Sequence, residues 1–285
     1  MAENGNHPEI RVAEVRKRGR GSGPILVLAA LFVAATSLAW YFSWFGRELS
    51  DADIAKYLAD EKNPRHVQHA LLQVQRRMEQ GDGSAKNWYP QLIVLSGSPE
   101  TEFRLTVAWL MGFDNQSQEF HNALLKLLRD QEPIVRRNAA LALVRFNDAS
   151  GHDELVSVLK PYVLQAPADG VIESSLQEGQ TVARRSPLLR IRQADGNIAG
   201  LRSPLPGRIN KIMKANGSQV SRGEDVLSLN SDEDSVWEVL RALALIGTKD
   251  DLELVQSYAN STNVSKRVKE QASLTLHAIN HRLHG

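Results

Sequence analysis

The chain has 285 residues, 42% of them hydrophobic and 24% charged, with 34 basic against 33 acidic side chains. That composition belongs to folded proteins and excludes general disorder, and a net charge of +1 supplies no overall attraction for nucleic acid. The absence of cysteine excludes disulfides, thiolate catalysis and thiolate metal sites together.

Residues 1–23 form a basic tail carrying Arg11, Arg16, Lys17, Arg18 and Arg20, expected in the cytoplasm. From Pro24 to Phe45 the chain reads PILVLAALFVAATSLAWYFSWF, without one charge. At about 1.5 Å per residue, a helix of this length spans roughly 33 Å against a bilayer core of about 30 Å. Trp40, Tyr41 and Trp44 gather at one end, and the basic residues precede the other, a pattern that places the N-terminus in the cytoplasm. The run is longer than the roughly 7–15 residues of a signal-peptide core, so the sequence predicts an uncleaved transmembrane helix over 24–45. Everything after Gly46 is then expected in the periplasm or its topological equivalent, with the protein single-pass in the inner (cell) membrane.

Residues 47–160 carry apolar positions at helical spacing. Val67, Leu71 and Val74 share one face, as do Phe103, Val107 and Met111, then Val135, Ala139, Leu143 and Phe146. Val67, Phe103 and Val135 are 36 and 32 residues apart, a period typical of helical-hairpin solenoids. Asn147 and Asp148 suit the close of one helix and the cap of the next. The segment EPIVRRNAALALVRFND, with its small alanines for close helix approach, resembles the first helix of a HEAT-like (PBS-lyase-type) repeat. The pattern resumes over 232–284, with Ser235, Val239, Leu243 and Ile246, then Val268, Ala272, Leu276 and Ile279. Ser235 lies 100 residues after Val135, so one period of about 33 leaves some 67 residues as an insertion.

That insertion, 162–230, changes to short β runs punctuated by glycine and proline, and it is duplicated. Ala166-Pro167-x-x-Gly170 matches Ser203-Pro204-x-x-Gly207, Glu178-Gly179 matches Asn216-Gly217, Val182 matches Val220, and Leu188-Leu189 matches Val226-Leu227. Two quasi-equivalent sheets around a small apolar core follow from such a repeat. On these residues the segment resembles a biotinyl/lipoyl-like domain, as found in the membrane fusion (efflux adaptor) proteins. In carrier members of that family a lysine between the halves bears the cofactor. Here the tip is Ala194-Asp195-Gly196-Asn197, and no lysine occurs from 161 to 210. The resemblance therefore implies a docking or spacing module without a bound cofactor.

The remaining chemistry is sparse. His277, His281 and His284 recur at helical spacing, a stripe conceivable as a zinc or haem-adjacent site, but it lies away from Ala272, Leu276 and Ile279 near a helix C-terminus, where the dipole favours histidine, and the solvated reading is the stronger. His66 and His69 read as a solvated helix face. Asp232-Glu233-Asp234 precedes a helix and reads as its cap. No nucleophile elbow, phosphate-binding loop or dinucleotide fingerprint is present. Arg184, Arg185, Arg190, Arg192, Arg202 and Arg208 fall within 25 residues and form a candidate interaction surface for carboxylates.

The expected fold is mainly α: an N-terminal transmembrane helix, then a HEAT-like α-solenoid carrying an inserted all-β barrel-sandwich. The expected function is a non-catalytic, membrane-anchored adaptor or accessory subunit of a transport, secretion or respiratory complex. Its partners are then membrane-complex subunits and the lipid bilayer, not nucleic acid. A metal- or haem-handling periplasmic protein using the C-terminal histidines is the alternative.

Overall fold

The computed structural model describes residues 23–44 and 48–284. They fall into two units, divided between Glu48 and Leu49. In the first, helix α1 (Gly23–Trp44) exposes every side chain described, at positions 26–38. Among the described residues no helix is long and apolar enough to cross a membrane. This overturns the transmembrane segment over 24–45 and the fold class that included it. The single-pass inner-membrane placement with a periplasmic domain and the bilayer as a partner fall with it. The basic residues of the N-terminal tail lie outside the described residues.

The second unit is a stack of helices interrupted by strands. Before the interruption come α2 (Asp51–Leu58), α3 (Pro64–Glu79), α4 (Tyr89–Leu95), α5 (Thr101–Met111), α6 (Gln118–Leu127), α7 (Pro133–Arg145) and α8 (His152–Val158). After it come α9 (Glu233–Ile246), α10 (Leu252–Asn260) and α11 (Lys266–His284). Local chemistry sets these boundaries. Ser50 caps α2 by accepting from the Asp53 N–H, and prolines open α3 and α7, where the missing N–H costs nothing. Asn147 closes α7 at φ 56°, with Asp148 N–H donating to the Leu143 carbonyl at 3.1 Å, a Schellman-type end. Asp148 does not cap α8, however, whose N-cap is Gly151.

Successive repeats are tied by equivalent arginines. Arg104 in α5 donates back to the Ser98 carbonyl and forward to Asp130 (2.6 Å), and Arg136 in α7 repeats this toward the Asp130 carbonyl and Glu154 (2.9 Å). Burial is the largest single influence and would raise the Asp130 carboxyl, but the Arg104 hydrogen bond, the Glu132 N–H and the charges of Arg104 and Arg136 together outweigh it and hold the group below the usual carboxylate range.

The apolar faces form two helical cores. Ile54, Leu71, Phe103, Val107, Phe120 and Leu143 belong to the first; Ala140, Leu155 and Val158 join Val236, Leu240, Val255 and Ala272 in the second. The second core is assembled from helices on both sides of the strands, so the stack continues across the interruption. His69, expected on a solvated face, is buried: α3 is covered by neighbours over a stripe reaching from Val67 to Val74.

Eight strands fill Tyr162–Ser231: β1 (Tyr162–Gln165), β2 (Gly170–Glu173), β3 (Thr181–Val182), β4 (Pro187–Arg192), β5 (Ile198–Arg202), β6 (Gly207–Ile212), β7 (Gln219–Val220) and β8 (Asp225–Ser231). They form two four-stranded antiparallel sheets, ordered β1-β8-β6-β3 and β5-β4-β2-β7. Advancing each strand of the first order by half the set of eight, cyclically, yields the second, so the halves are related by a twofold. Their third core includes Ile172, Val182, Ile191, Ile209, Val220 and Leu227.

Candidate functional site

The twofold is visible in individual hydrogen bonds. Gly179 N–H donates to the Ile209 carbonyl and Ile209 N–H to Gln180; in the other half Gly217 N–H donates to Ile172 and Ile172 N–H to Ser218. Glu178 accepts from the Ile212 N–H as Asn216 accepts from Ser174, each at 2.9 Å. A bulge between Ile209 and Lys211 adds one residue to the second half. Mates are consequently 37 residues apart before the bulge, as with Ala166 and Ser203, and 38 after it, as with Glu178 and Asn216.

Gly170 and Gly207 are mates at the starts of β2 and β6. A Cβ on Gly170 would stand 2.3 Å from the Arg192 carbonyl oxygen, and one on Gly207 2.2 Å from that of Asn230. Both positions need glycine because a neighbouring backbone comes too close for any side chain.

Outward positions of the two sheets are also mates, and here the halves diverge. The sheet containing β6 and β8 presents Asn210, Ser228 and Asn230, linked by Asn210 to Ser228 at 3.0 Å and Asn230 to Asn210 at 3.2 Å. Asn210 and Asn230, with Arg208 and Thr181, line a cleft of about 620 Å³ whose opposite wall is Asp232, Val236, Ser257 and Tyr258 of the resumed helices. This proximal sheet thus faces the solenoid with the amides of Asn210 and Asn230 and with Arg208. The matching positions of the distal sheet are Glu173, Arg190 and Arg192. They are solvent-facing, together with Ile198, Gly200 and Arg202 on β5.

The six arginines of the sequence therefore separate into three settings. Arg184 and Arg185, in the turn between β3 and β4, reach Glu102 in the first turn of α5, and Arg185 also stands 3.1 Å from Glu102 and 3.8 Å from Glu100. They lock the β module to the solenoid and are not free for a partner. Arg185 does so at φ 65°, a left-handed conformation that its mate Gly223 adopts at φ 84° without a side chain. Arg208 lies in the cleft. Only Arg190, Arg192 and Arg202 share the open face: Arg192 pairs with Glu173 (Nε to Oε1, 2.8 Å), and Arg202 donates to the Arg185 carbonyl at 2.9 Å. Among the described residues Arg190 has no side-chain partner.

Two features were missed in the sequence because their partners are far apart along the chain. His152 at the start of α8 bonds Asp251 across 99 residues, Nε2 to Oδ2 at 2.8 Å, and Asp251 is itself buried and accepts from the Thr248 N–H. Burial opposes charge on His152, but the Asp251 hydrogen bond and charge outweigh it and raise the imidazole above its usual value. Arg137 on α7 is 4% exposed, with Nε and Nη1 lacking any hydrogen-bond partner, in the field of Glu154, Tyr162 and Asp232. Burial is the leading influence and pushes its guanidinium down.

The histidine stripe stays open on the surface. His277, His281 and His284 are exposed on α11, with the first two rings 6.4 Å apart, and among the described residues no group of three or more such side chains is placed to hold a metal ion. His66 stacks on Tyr57 at 4.2 Å and bonds Asp60 at 2.8 Å. Asp232 caps α9 by accepting from Ser235 N–H and Oγ.

Paired antiparallel helices stacked with a recurring inter-repeat arginine define a helical-repeat solenoid. A model of the HEAT-repeat family matches residues 90–178. The matched span is thus HEAT-like; it covers α4 to α8 and ends inside the β module. No curated protein sequence matches the chain.

Proposed function

We propose that the protein is a non-catalytic adaptor: a HEAT-like solenoid that holds out a biotinyl/lipoyl-like module, unmodified, whose distal sheet receives a protein partner. HEAT repeats commonly mediate protein–protein contacts, and extended solenoids give them large surfaces. The strand orders β1-β8-β6-β3 and β5-β4-β2-β7 support the lipoyl-like reading of the module. The hairpin between β4 and β5, where a carrier would place its lysine, closes instead with Asp195 accepting from the Asn197 N–H at 2.9 Å.

The observation that carries the proposal is the divergence of twofold mates. Ser228 and Asn230 stand on the proximal sheet where their mates Arg190 and Arg192 face solvent on the distal one; with Arg202 the distal sheet gathers three arginines in solvent, whereas Arg208, the arginine of the proximal face, lies in the cleft. Solubility alone does not require arginine at three neighbouring positions, whereas a carboxylate-bearing partner is matched by planar guanidinium donors.

The test places a photo-crosslinking residue at Val171, on the same face, in wild type and in Arg190→Glu/Arg192→Glu/Arg202→Glu. A discrete crosslinked partner in the wild type that disappears from the folded triple variant is expected. Equal crosslinking in both sinks the proposal. Intact mass is expected to show no biotin or lipoyl adduct.

A further inference from the structure

Among the described residues the distal sheet ends at β5, which pairs only with β4, so its outer edge is open there. Gln193 N–H donates to the Asn197 carbonyl, and hydrogen-bonded and non-bonded pairs then alternate along an antiparallel ladder. Counting from that pair, Ala199 and Leu201 point their backbone groups at β4, and Ile198, Gly200 and Arg202 point theirs outward. Ile198 is 43% exposed.

Gly200 sits at the centre of this edge without a reason internal to the fold. Its φ is not positive, and a Cβ there would meet nothing within 4 Å. Its twofold mate, Val163 on β1, carries a β-branched side chain that is 42% exposed, so the strand accepts one. Glycine in a strand weakens it and marks a place where another backbone approaches. Opposite Gly200 in the β4–β5 ladder stands Arg190, which among the described residues is the arginine of this face without a side-chain partner.

We infer that the β5 edge takes up an extended segment of an acidic protein partner as an added strand, with Gly200 as the gap through which Arg190 reaches a carboxylate on it. Strands lie about 4.8 Å apart, so the added strand runs roughly 10 Å from β4, within reach of an arginine meeting an incoming glutamate. A side chain at position 200 fills that gap. A second copy of this chain is the less suitable occupant, because pairing β5 with itself extends one sheet face carrying Arg190, Arg192 and Arg202 from both copies, and like charges side by side repel. The inference rests on the distal sheet being the partner face.

The test uses the full chain and two synthetic heptapeptides, Thr-Glu-Val-Glu-Val-Glu-Thr and the same sequence with lysine for glutamate. Binding is followed by fluorescence anisotropy and by protection of the Gly200 amide against hydrogen exchange. The acidic peptide is expected to bind and protect Gly200, the lysine peptide to bind at least about tenfold more weakly, and Gly200→Val and Arg190→Gln each to weaken acidic-peptide binding by about tenfold or more. Gly200→Ala serves if the valine variant unfolds. No protection at about 1 mM acidic peptide overturns strand addition, as does equal binding of the two peptides. If Gly200→Val binds normally while the triple Arg→Glu variant does not, the partner face stands and the edge is wrong; if neither variant loses binding, both fail. Gly200 protection that rises with protein concentration in the absence of peptide makes a second copy the occupant.

Discussion

The turn that docks the β module is held in an unfavourable backbone, and that is measurable. Arg185 adopts φ 65° where its mate Gly223 adopts φ 84°. The left-handed region costs a non-glycine residue about 1–2 kcal/mol, and glycine returns about 0.5–1 kcal/mol of that through its larger unfolded-state entropy. Arg185→Gly and Arg185→Ala both remove the partly exposed contacts to Glu100 and Glu102, worth about 0.2–1 kcal/mol, so that loss cancels between them. The glycine variant should then exceed the alanine variant by about 0.5–1 kcal/mol, or roughly 1–4 °C in Tm for a unit of this size. Thermal unfolding of both variants by circular dichroism and calorimetry supplies the comparison. An alanine variant as stable as the glycine variant would show that position 185 carries no strain, and the view that the sequence accepts strain there to keep an arginine on α5 would fail.

Three further outcomes follow from other sites. The raised His152 pKa stabilises the fold below the unfolded value of about 6.5, and that contribution is lost as pH rises through the higher folded value; Tm should therefore fall across this range, and less so in His152→Gln, an equal decline counting against the clasp. Gly207→Ala should destabilise by about 1–3 kcal/mol in urea unfolding, because its Cβ would overlap a central-strand carbonyl, and an unchanged midpoint would refute the close approach. Arg137→Met should raise stability by about 1–3 kcal/mol, since it removes a buried cation with two unpaired N–H groups in exchange for an apolar side chain of similar length; a large loss would mean Arg137 has a bonding partner in solution.

Much of the solenoid was legible because burial there follows local periodicity. Val67, Phe103, Val107, Val135, Ala139, Val268 and Ala272 are all buried. At the return from the strands the pattern slips: Ser235, expected on the apolar face, donates to its cap Asp232, and Val236 takes the core position. The paired Pro-x-x-Gly motifs were readable for the same reason, since Gly170 and Gly207 answer a steric demand repeated in each half. What could not be read is which face meets what. The contacts of Arg184 and Arg185 with Glu102 bridge about 80 residues, and no local pattern separates these arginines from Arg190, which stays free. The absence of charge over 24–45 marked a helix but did not establish a membrane crossing.

The position of the module within the stack bears on what it is for. It leaves the solenoid after Leu159 and returns at Asp232, yet the helical core closes beneath it: Leu155 and Val158 pack with Val236 and Leu240 as consecutive repeats would. His152 with Asp251, and the Tyr258 hydroxyl donating to the Leu159 carbonyl at 2.9 Å, fasten the two sides of the exit point to each other. A module needed only to complete the core would not sit above one that is already continuous. The additional tie from Arg184 and Arg185 to α5 then does something different from fastening the stack: it fixes the orientation of a branch. With the amide-bearing sheet turned toward α9 and α10, that orientation leaves the arginine-bearing sheet and the open edge of β5 in solvent. An adaptor gains from such rigidity because a partner meeting a preoriented surface loses less freedom on binding than one that must also order the surface it binds.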